Sequence, residues 1–258
     1  MPLADDDLER YARHIVLREI GGPGQQALIG AKVAVVGAGG LGSPALLYLA
    51  AAGVGTITVI DDDRVGLSNL QRQILHRDGD VGRPKVASAV DTLGALNPSV
   101  RIEPRELRLG PGNAREALEG HDLVLDGCDG SQTRRLVNET CAALRIPLVS
   151  GAIGRWEGQV SVFRPWLGGP CYACLFPEAP SPDQVPACAE AGVLGALAGT
   201  IGSLMASEAV KLITGAGEPL DGRLFLWDAL DAEARTIRVK KRPGCPVCAT
   251  AGAGAAQL

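Results

Sequence analysis

Large aromatic residues are scarce in this chain: three Trp, three Tyr and three Phe among 258 residues. With so few rings, the core has to be filled by Ala, Val, Leu and Gly, which suits close packing of helices on a sheet. Histidine is sparse too. His14, His76 and His121 are spread out and form no cluster, so ordinary surface or core roles are expected of them. There is no basic excess either: 25 Lys and Arg stand against 29 Asp and Glu, a net charge of −4. That balance excludes a broad positive field for nucleic acid. The N-terminus, Met-Pro-Leu-Ala-Asp-Asp-Asp, is acidic and lacks an apolar core, so no targeting peptide is expected. The uncharged stretch Ala191–Ser207 is slightly short for a spanning helix and is bracketed by Glu190 and Glu208. It predicts a buried helix near a subunit interface, not a membrane span.

What the chain does have is seven cysteines, four of them in two C-x-x-C pairs, Cys171–Cys174 and Cys245–Cys248. Four thiolates in two short knuckles are what a tetrahedral zinc ion requires. About 70 residues separate the knuckles, so the metal would staple the chain end to a mid-chain loop of a larger domain. Two disulfides would suit a secreted protein. A redox pair usually follows a strand and opens a helix, and neither pair clearly does so. Structural zinc in a reducing cytoplasm is the expectation. Cys128 and Cys141 are read as core.

Hydrophobic patterning predicts one or two helices over residues 5–29, ending near Gly21-Gly-Pro-Gly24. A strand over 32–36, a glycine turn, a helix to about 52 and a strand over 56–60 make a βαβ unit. Helices over 84–96, 113–119 and 131–144 alternate with strands near 100–107, 122–126 and 147–150. This implies an α/β fold, a Rossmann-like, doubly wound, mostly parallel sheet. Strands over 158–164 and 223–239 imply a mixed C-terminal extension. Residues 1–30 read as a helical arm, 31–155 and 156–248 as two halves of one domain, and 249–258 as a disordered tail.

Gly37-Ala-Gly39-Gly40-Leu-Gly42 sits between a strand and a helix, the setting of a phosphate cradle. Asp61, at the end of the next strand, suits a ribose hydroxyl. On these features alone a nicotinamide-dependent dehydrogenase leads. Asn69, Arg72 and Gln73 follow closely, and Lys85 opens a helix. These cations suit a triphosphate better than a dinucleotide. Asp129 follows a strand at the sheet's carboxyl edge. It is read either as a Mg²⁺ ligand between phosphates or as an N-cap of the 131–144 helix.

The segments Arg10-Tyr-Ala-Arg13-His-Ile, Gly37–Gly42, Ser68-Asn-Leu-Gln-Arg72-Gln and Gly82-Arg-Pro-Lys85 occur in order with Asp61, Asp129, both cysteine pairs and Cys188-Ala-Glu-Ala-Gly-Val. Together they resemble the MoeB/ThiF family, bacterial relatives of ubiquitin-activating enzymes, over nearly the whole chain. The likeness leans toward its molybdopterin-synthase adenylyltransferase branch. The resemblance implies a cytoplasmic homodimer that uses ATP and Mg²⁺ to adenylate the C-terminal glycine of a small ubiquitin-fold sulfur carrier ending in Gly-Gly. Activation in thiamine or thiolated-tRNA biosynthesis is the alternative. Asp61 would hold the ribose, while Asn69, Arg72 and Lys85 would bind phosphates. Arg13 would reach into the partner subunit's site. The glycines of the turn, Asp63, Ser68, Gln73 and Gly130 would complete the nucleotide site. Cys188 is open between a covalent role with the carrier and a packed small residue. Gly130 stands where the family usually has Asn. No sulfurtransferase domain is expected after the second knuckle, so sulfur would come from a separate persulfide donor.

Overall fold

The computed structural model describes residues 3–178 and 192–249. Cys188 and most of the expected disordered tail lie outside the described residues. An eight-stranded sheet forms the centre, in the order β3-β2-β1-β4-β5-β6-β7-β8. Its strands are β1 (Lys32–Val36), β2 (Thr56–Ile60), β3 (Arg101–Arg105), β4 (Leu123–Asp126), β5 (Leu148–Gly154), β6 (Glu157–Phe163), β7 (Arg223–Asp228) and β8 (Glu233–Arg238). The first five run parallel and the last three antiparallel. The sheet therefore has the Rossmann-like, doubly wound core expected, with an antiparallel extension. The expected strand over 223–239 is a hairpin, because the turn at 229–232 folds β8 back onto β7.

Alternation along β1 builds two cores. Val33 and Val35 face one layer with α4 (Gly42–Ala51), α5 (Lys85–Leu96) and α9 (Gly195–Thr214). Ala34 and Val36 face the other, with α6 (Ala114–Leu118) and α7 (Ser131–Leu144). Small residues let the layers approach closely, as the shortage of rings required. Edge strand β3 carries Pro104, tolerated where no further strand pairs. The far edge, β8, is fully exposed and charged, which discourages pairing with another chain.

Three features differ from expectation. The arm forms three helices, α1 (Asp5–Arg10), α2 (Ala12–Ile15) and α3 (Gly21–Gly30). Gly21-Gly-Pro-Gly24 opens α3 instead of closing the arm. Gly21 has a φ of +59°, and Pro23 lies in the first turn, where its missing N–H costs nothing. The uncharged run becomes α9, which starts later and continues past Ser207. It is the one described helix long and apolar enough to cross a membrane, but Leu197, Ile201, Met205 and Ala209 are buried against the sheet and α4. Its other face is accessible in the single chain, with Ala196, Thr200 and Ser207 exposed. Finally, α8 (Tyr172–Leu175) is a single turn opened by Cys171, so the first knuckle does open a helix.

Candidate active site

Strand order reverses between β1 and β4, because β2 and β5 lie on opposite sides of that pair. The crevice beyond their carboxyl ends is where open α/β sheets take ligands. A cleft of about 210 Å³ lies there, lined by Gly37 and Gly39 after β1, Asp61–Asp63 after β2, and Gly127–Asp129 after β4. Lys85, Leu107–Leu109 and Thr133 complete it.

The glycine turn is demanded by its own backbone. Gly37 has a φ of +94°. A Cβ on Gly42 would stand 1.8 Å from the Gly37 carbonyl oxygen, so only glycine lets α4 begin so close to β1. Asp61 fastens the turn: its Oδ2 accepts the Ala38 N–H at 2.7 Å and its Oδ1 the Asp63 N–H at 2.8 Å. Burial pushes the Asp61 carboxyl pKa up, opposed by Lys85 and both N–H donors. Lys85 is buried, and its Nζ lies 2.7 Å from Oδ2 of the exposed Asp63. Burying an unpaired ammonium would cost several kcal/mol, about as much as a domain can spare. Asp63 satisfies it in the free chain.

The loop after β2 lies against the turn. Arg72 Cδ is 3.7 Å from the Cβ position of Gly40, and Gln73 Nε2 is 3.7 Å from that of Gly39. Arg72 Nη1 donates to the Ser68 carbonyl at 3.1 Å. Asn69 Oδ1 accepts the Gly66 N–H at 3.0 Å. Its role here is to hold the short helical turn 67–69, leaving its amide N–H₂ available. Gln73 is buried, and its Oε1 has no hydrogen-bond partner among the described residues, as is also true of Asn138 Nδ2 and Arg242 Nε. Beside the glycine turn, that acceptor is open to a donor from a ligand.

Asp129 is exposed beside the cleft. It is not the N-cap of α7: Gly130 takes that position, without a side-chain bond. Asp129 thus keeps its oxygens available. Beneath it, residues with no recognisable sequence signal stiffen the loop. Arg134, buried in α7, donates through Nη1 to the Gly151 carbonyl at 2.6 Å and through Nη2 to the Cys128 carbonyl. Buried Asp126 accepts from Ser150 Oγ at 3.0 Å and from the Cys128 thiol at 2.8 Å. Cys128 is half-buried in the loop and packs against the edge of the second core, and burial followed by the Asp126 charge holds its thiol protonated. Cys141 is core, as expected.

The cleft's side chains are acid-rich: Asp61, Asp62, Asp63 and Asp129 against Lys85 and Arg108. A polyanion there needs added positive charge. Ser68, Asn69, Arg72 and Gln73 do not line the cleft; Arg72 stands beside the glycine turn at Gly40. Arg13 is exposed on the arm and does not line the cleft of its own chain. Arg108 and Thr133 were not singled out in the sequence, because neither lies in a motif.

The four paired cysteines converge. Cys171 Sγ lies 4.0 Å from Cys174 Sγ and 3.7 Å from Cys245 Sγ, and Cys174 Sγ lies 3.4 Å from Cys248 Sγ. A tetrahedron with Zn–S bonds of about 2.3 Å has sulfurs roughly 3.8 Å apart. Burial works against ionisation throughout the cluster and pushes the Cys171 and Cys248 thiols up, while the N–H groups of Cys248 and Val247 bring that of Cys245 down. The Arg242 N–H points at Cys174 Sγ from 3.4 Å. The donor set fits a closed metal centre.

The sequence profile of the ThiF family matches residues 11–247. The chain belongs to the ThiF family. It is 51% identical to the SAMP-activating enzyme E1 of Haloferax volcanii, over 95% of this chain and 90% of that protein. It is 52% identical to the sulfur carrier protein adenylyltransferase of Thermus thermophilus, over 94% and 91%. It is 45% identical to the molybdopterin-synthase adenylyltransferase of Escherichia coli, over 95% and 98%. Among solved structures, E. coli MccB with ATP superposes with a TM-score of 0.81 at 21% identity, covering 93% of this chain and 74% of that one. At that identity it speaks to the fold alone.

Proposed function

We propose that this ThiF-family chain is an ATP-dependent adenylyltransferase. It activates the C-terminal glycine carboxylate of a ubiquitin-like sulfur carrier, of the kind used in molybdopterin biosynthesis. The observation that carries the reading is one cleft at the sheet's carboxyl edge that gathers the glycine turn, Asp61, Lys85 and Asp129. The names of relatives about half identical along the whole chain support the same chemistry.

The N-terminal half, to residue 155, binds nucleotide. Asp61 holds the ribose hydroxyls, and the orphaned Gln73 Oε1 takes a further donor. The N–H groups of Gly39 and Gly40 approach phosphate, together with Ser68, the Asn69 amide and the Gly130 N–H. Lys85 exchanges Asp63 for a phosphate oxygen, and Arg72 forks onto the phosphates from beside the glycine turn. The partner subunit of a homodimer, packed through the accessible face of α9, brings its copy of Arg13. Mg²⁺ held by Asp129 would offset phosphate charge in an acid-rich cleft. The carrier's carboxylate oxygen attacks the α-phosphorus, the bond to the β-phosphate oxygen breaks, and pyrophosphate leaves. No general base is needed, because the nucleophile is already ionised. The cations reduce repulsion between two anions as they meet.

The half from 156 to 248 docks the carrier and holds zinc on Cys171, Cys174, Cys245 and Cys248. Thiolates kept for a metal require a reducing compartment, so the proposed location is the cytoplasm. The terminal sulfur of a separate protein's persulfide attacks the acyl carbon and displaces AMP, and an external thiol then reduces the resulting acyl disulfide to the thiocarboxylate. The test is mass spectrometry of a purified carrier ending in Gly-Gly after incubation with the protein, ATP and Mg²⁺. The expected product is carrier–AMP. An unmodified carrier, across carriers of the molybdopterin and thiamine types, overturns the reading.

A further inference from the structure

We infer that His76 is a positioning residue that fixes the glycine turn for nucleotide by holding the Ala38 carbonyl. The inference deepens the adenylation reading and rests on it. His76 Nε2 lies 2.9 Å from the Ala38 carbonyl oxygen. A carbonyl only accepts, so Nε2 carries the proton and donates. Ser43 Oγ donates weakly to the same oxygen at 3.4 Å. On its other side the Ala38 N–H is held by Asp61 Oδ2. Both polar groups of one turn residue are thus anchored to different elements.

The consequence follows from peptide geometry. The bond between Ala38 and Gly39 is trans, as are the peptide bonds of all the described residues. In a planar trans unit the C=O of one residue and the N–H of the next point in opposite directions. Holding the Ala38 carbonyl on His76 therefore aims the Gly39 N–H away from His76 and prevents the unit from flipping. Gly39 lines the cleft. A glycine-rich turn is free to turn a carbonyl toward the ligand, and a carbonyl facing phosphate would repel it. The His76 bond removes that freedom.

His76 is itself held. Its Nδ1 lies 2.9 Å from Ser88 Oγ, and Ser88 Oγ lies 2.8 Å from Asp80 Oδ2; with the imidazole neutral, the one hydroxyl proton serves Nδ1 and Asp80 in turn. Asp80 in turn accepts the Arg77 N–H at 3.0 Å and the Arg83 guanidinium. The whole relay is buried except Arg77 and Arg83. His76 also belongs to the loop whose Arg72 and Gln73 stand 3.7 Å from the Cβ positions of Gly40 and Gly39. The loop thus lies along three successive turn residues, bonded at Ala38 and close to Gly39 and Gly40.

Glutamine and asparagine separate this role from simple packing. In His76→Gln the amide nitrogen can occupy the place of Nε2 and donate to Ala38. In His76→Asn it falls near Nδ1, and the Ala38 carbonyl keeps only the weak Ser43 donor. Losing a buried bond of this kind corresponds to roughly a tenfold or greater effect. We expect the KM for ATP to rise about tenfold or more in His76→Asn, with the KM for the carrier unchanged. His76→Gln should restore most of the ATP affinity. Hydrogen–deuterium exchange without nucleotide should speed up over 37–43 in His76→Asn but not in His76→Gln, with the rest of the domain unaffected. Equal ATP KM values in the two variants, or equal exchange over 37–43, overturn the assignment. So does a parallel rise in both KM values. A wild-type protein that binds no ATP overturns the adenylation reading and this one with it.

Discussion

At the scale of single residues, the free chain shows a site waiting for charge. Lys85 is kept buried by Asp63, Gln73 Oε1 lacks a partner, and Asp129 is exposed. Arg72→Ala and Lys85→Ala should each cut pyrophosphate exchange by roughly 10²–10³-fold, the usual cost of losing a transition-state donor. Circular dichroism should show an intact fold, because Arg72 is half-exposed and the loss of Lys85 leaves Asp63 in water and Asp61 still bonded to two N–H groups. Exchange at wild-type rates in both variants would refute the phosphate assignments. His76 gives a prediction of a different kind. Burial lowers its pKa below the usual imidazole value, and Lys85 adds to this. The Ala38 carbonyl, Asp61 and Asp80 oppose it. The unfolded chain therefore takes up a proton where the folded chain does not. Stability should be full above about pH 6.5 and fall as pH drops through that value. Urea midpoints between about pH 7 and 5 should slope less in His76→Gln than in wild type. Identical slopes would show that His76 does not titrate as described. Motif residues were legible because spacing carries them. His76, Asp126 and Arg134 were not, because they have partners in other elements and nothing in the local sequence announces the pairing; Arg108 lies in no motif.

At the scale of elements, the βαβ start was legible almost to the residue. The runs Lys32–Val36 and Thr56–Ile60 are short, apolar and bounded by glycine or aspartate, and both form strands. The arm was misread because glycine and proline mark the start of a helix as readily as its end, and only packing decides. Tyr11, buried with its hydroxyl accepting from Asn97 Nδ2 at 2.9 Å, ties α2 to the end of α5. The turn between β1 and α4 is the element on which the proposed nucleotide binding depends. Gly42→Ala would drive a methyl into the Gly37 carbonyl, a backbone contact that cannot swing aside. The expected cost is about 1–3 kcal/mol, read as a melting temperature lower by several degrees together with loss of ATP binding by calorimetry. Unchanged ATP affinity would mean that the turn is not the cradle.

At the scale of the whole molecule, the cysteine centre joins residues about 70 positions apart and ties the chain beyond β8 to the loop after β6. Structural zinc sites contribute on the order of 10 kcal/mol in small domains. Chelation, or Cys245→Ser, should therefore lower the melting temperature sharply and release about one zinc per chain. Protein purified without added metal but lacking zinc by elemental analysis would remove the claim. The family and its fold were legible because motif order spans the chain. The acid surplus of the cleft was not, since it appears only when Asp61–Asp63 and Asp129 meet across the sheet edge. That surplus makes the central claim sharp: a triphosphate binds there only with added cations. The most direct test is exchange of labelled pyrophosphate into ATP by the purified protein with a carrier ending in Gly-Gly. The account predicts exchange that requires both Mg²⁺ and the carrier and disappears in Asp129→Asn. No exchange in the wild type, with reduction of a nicotinamide dinucleotide in its place, would contradict it.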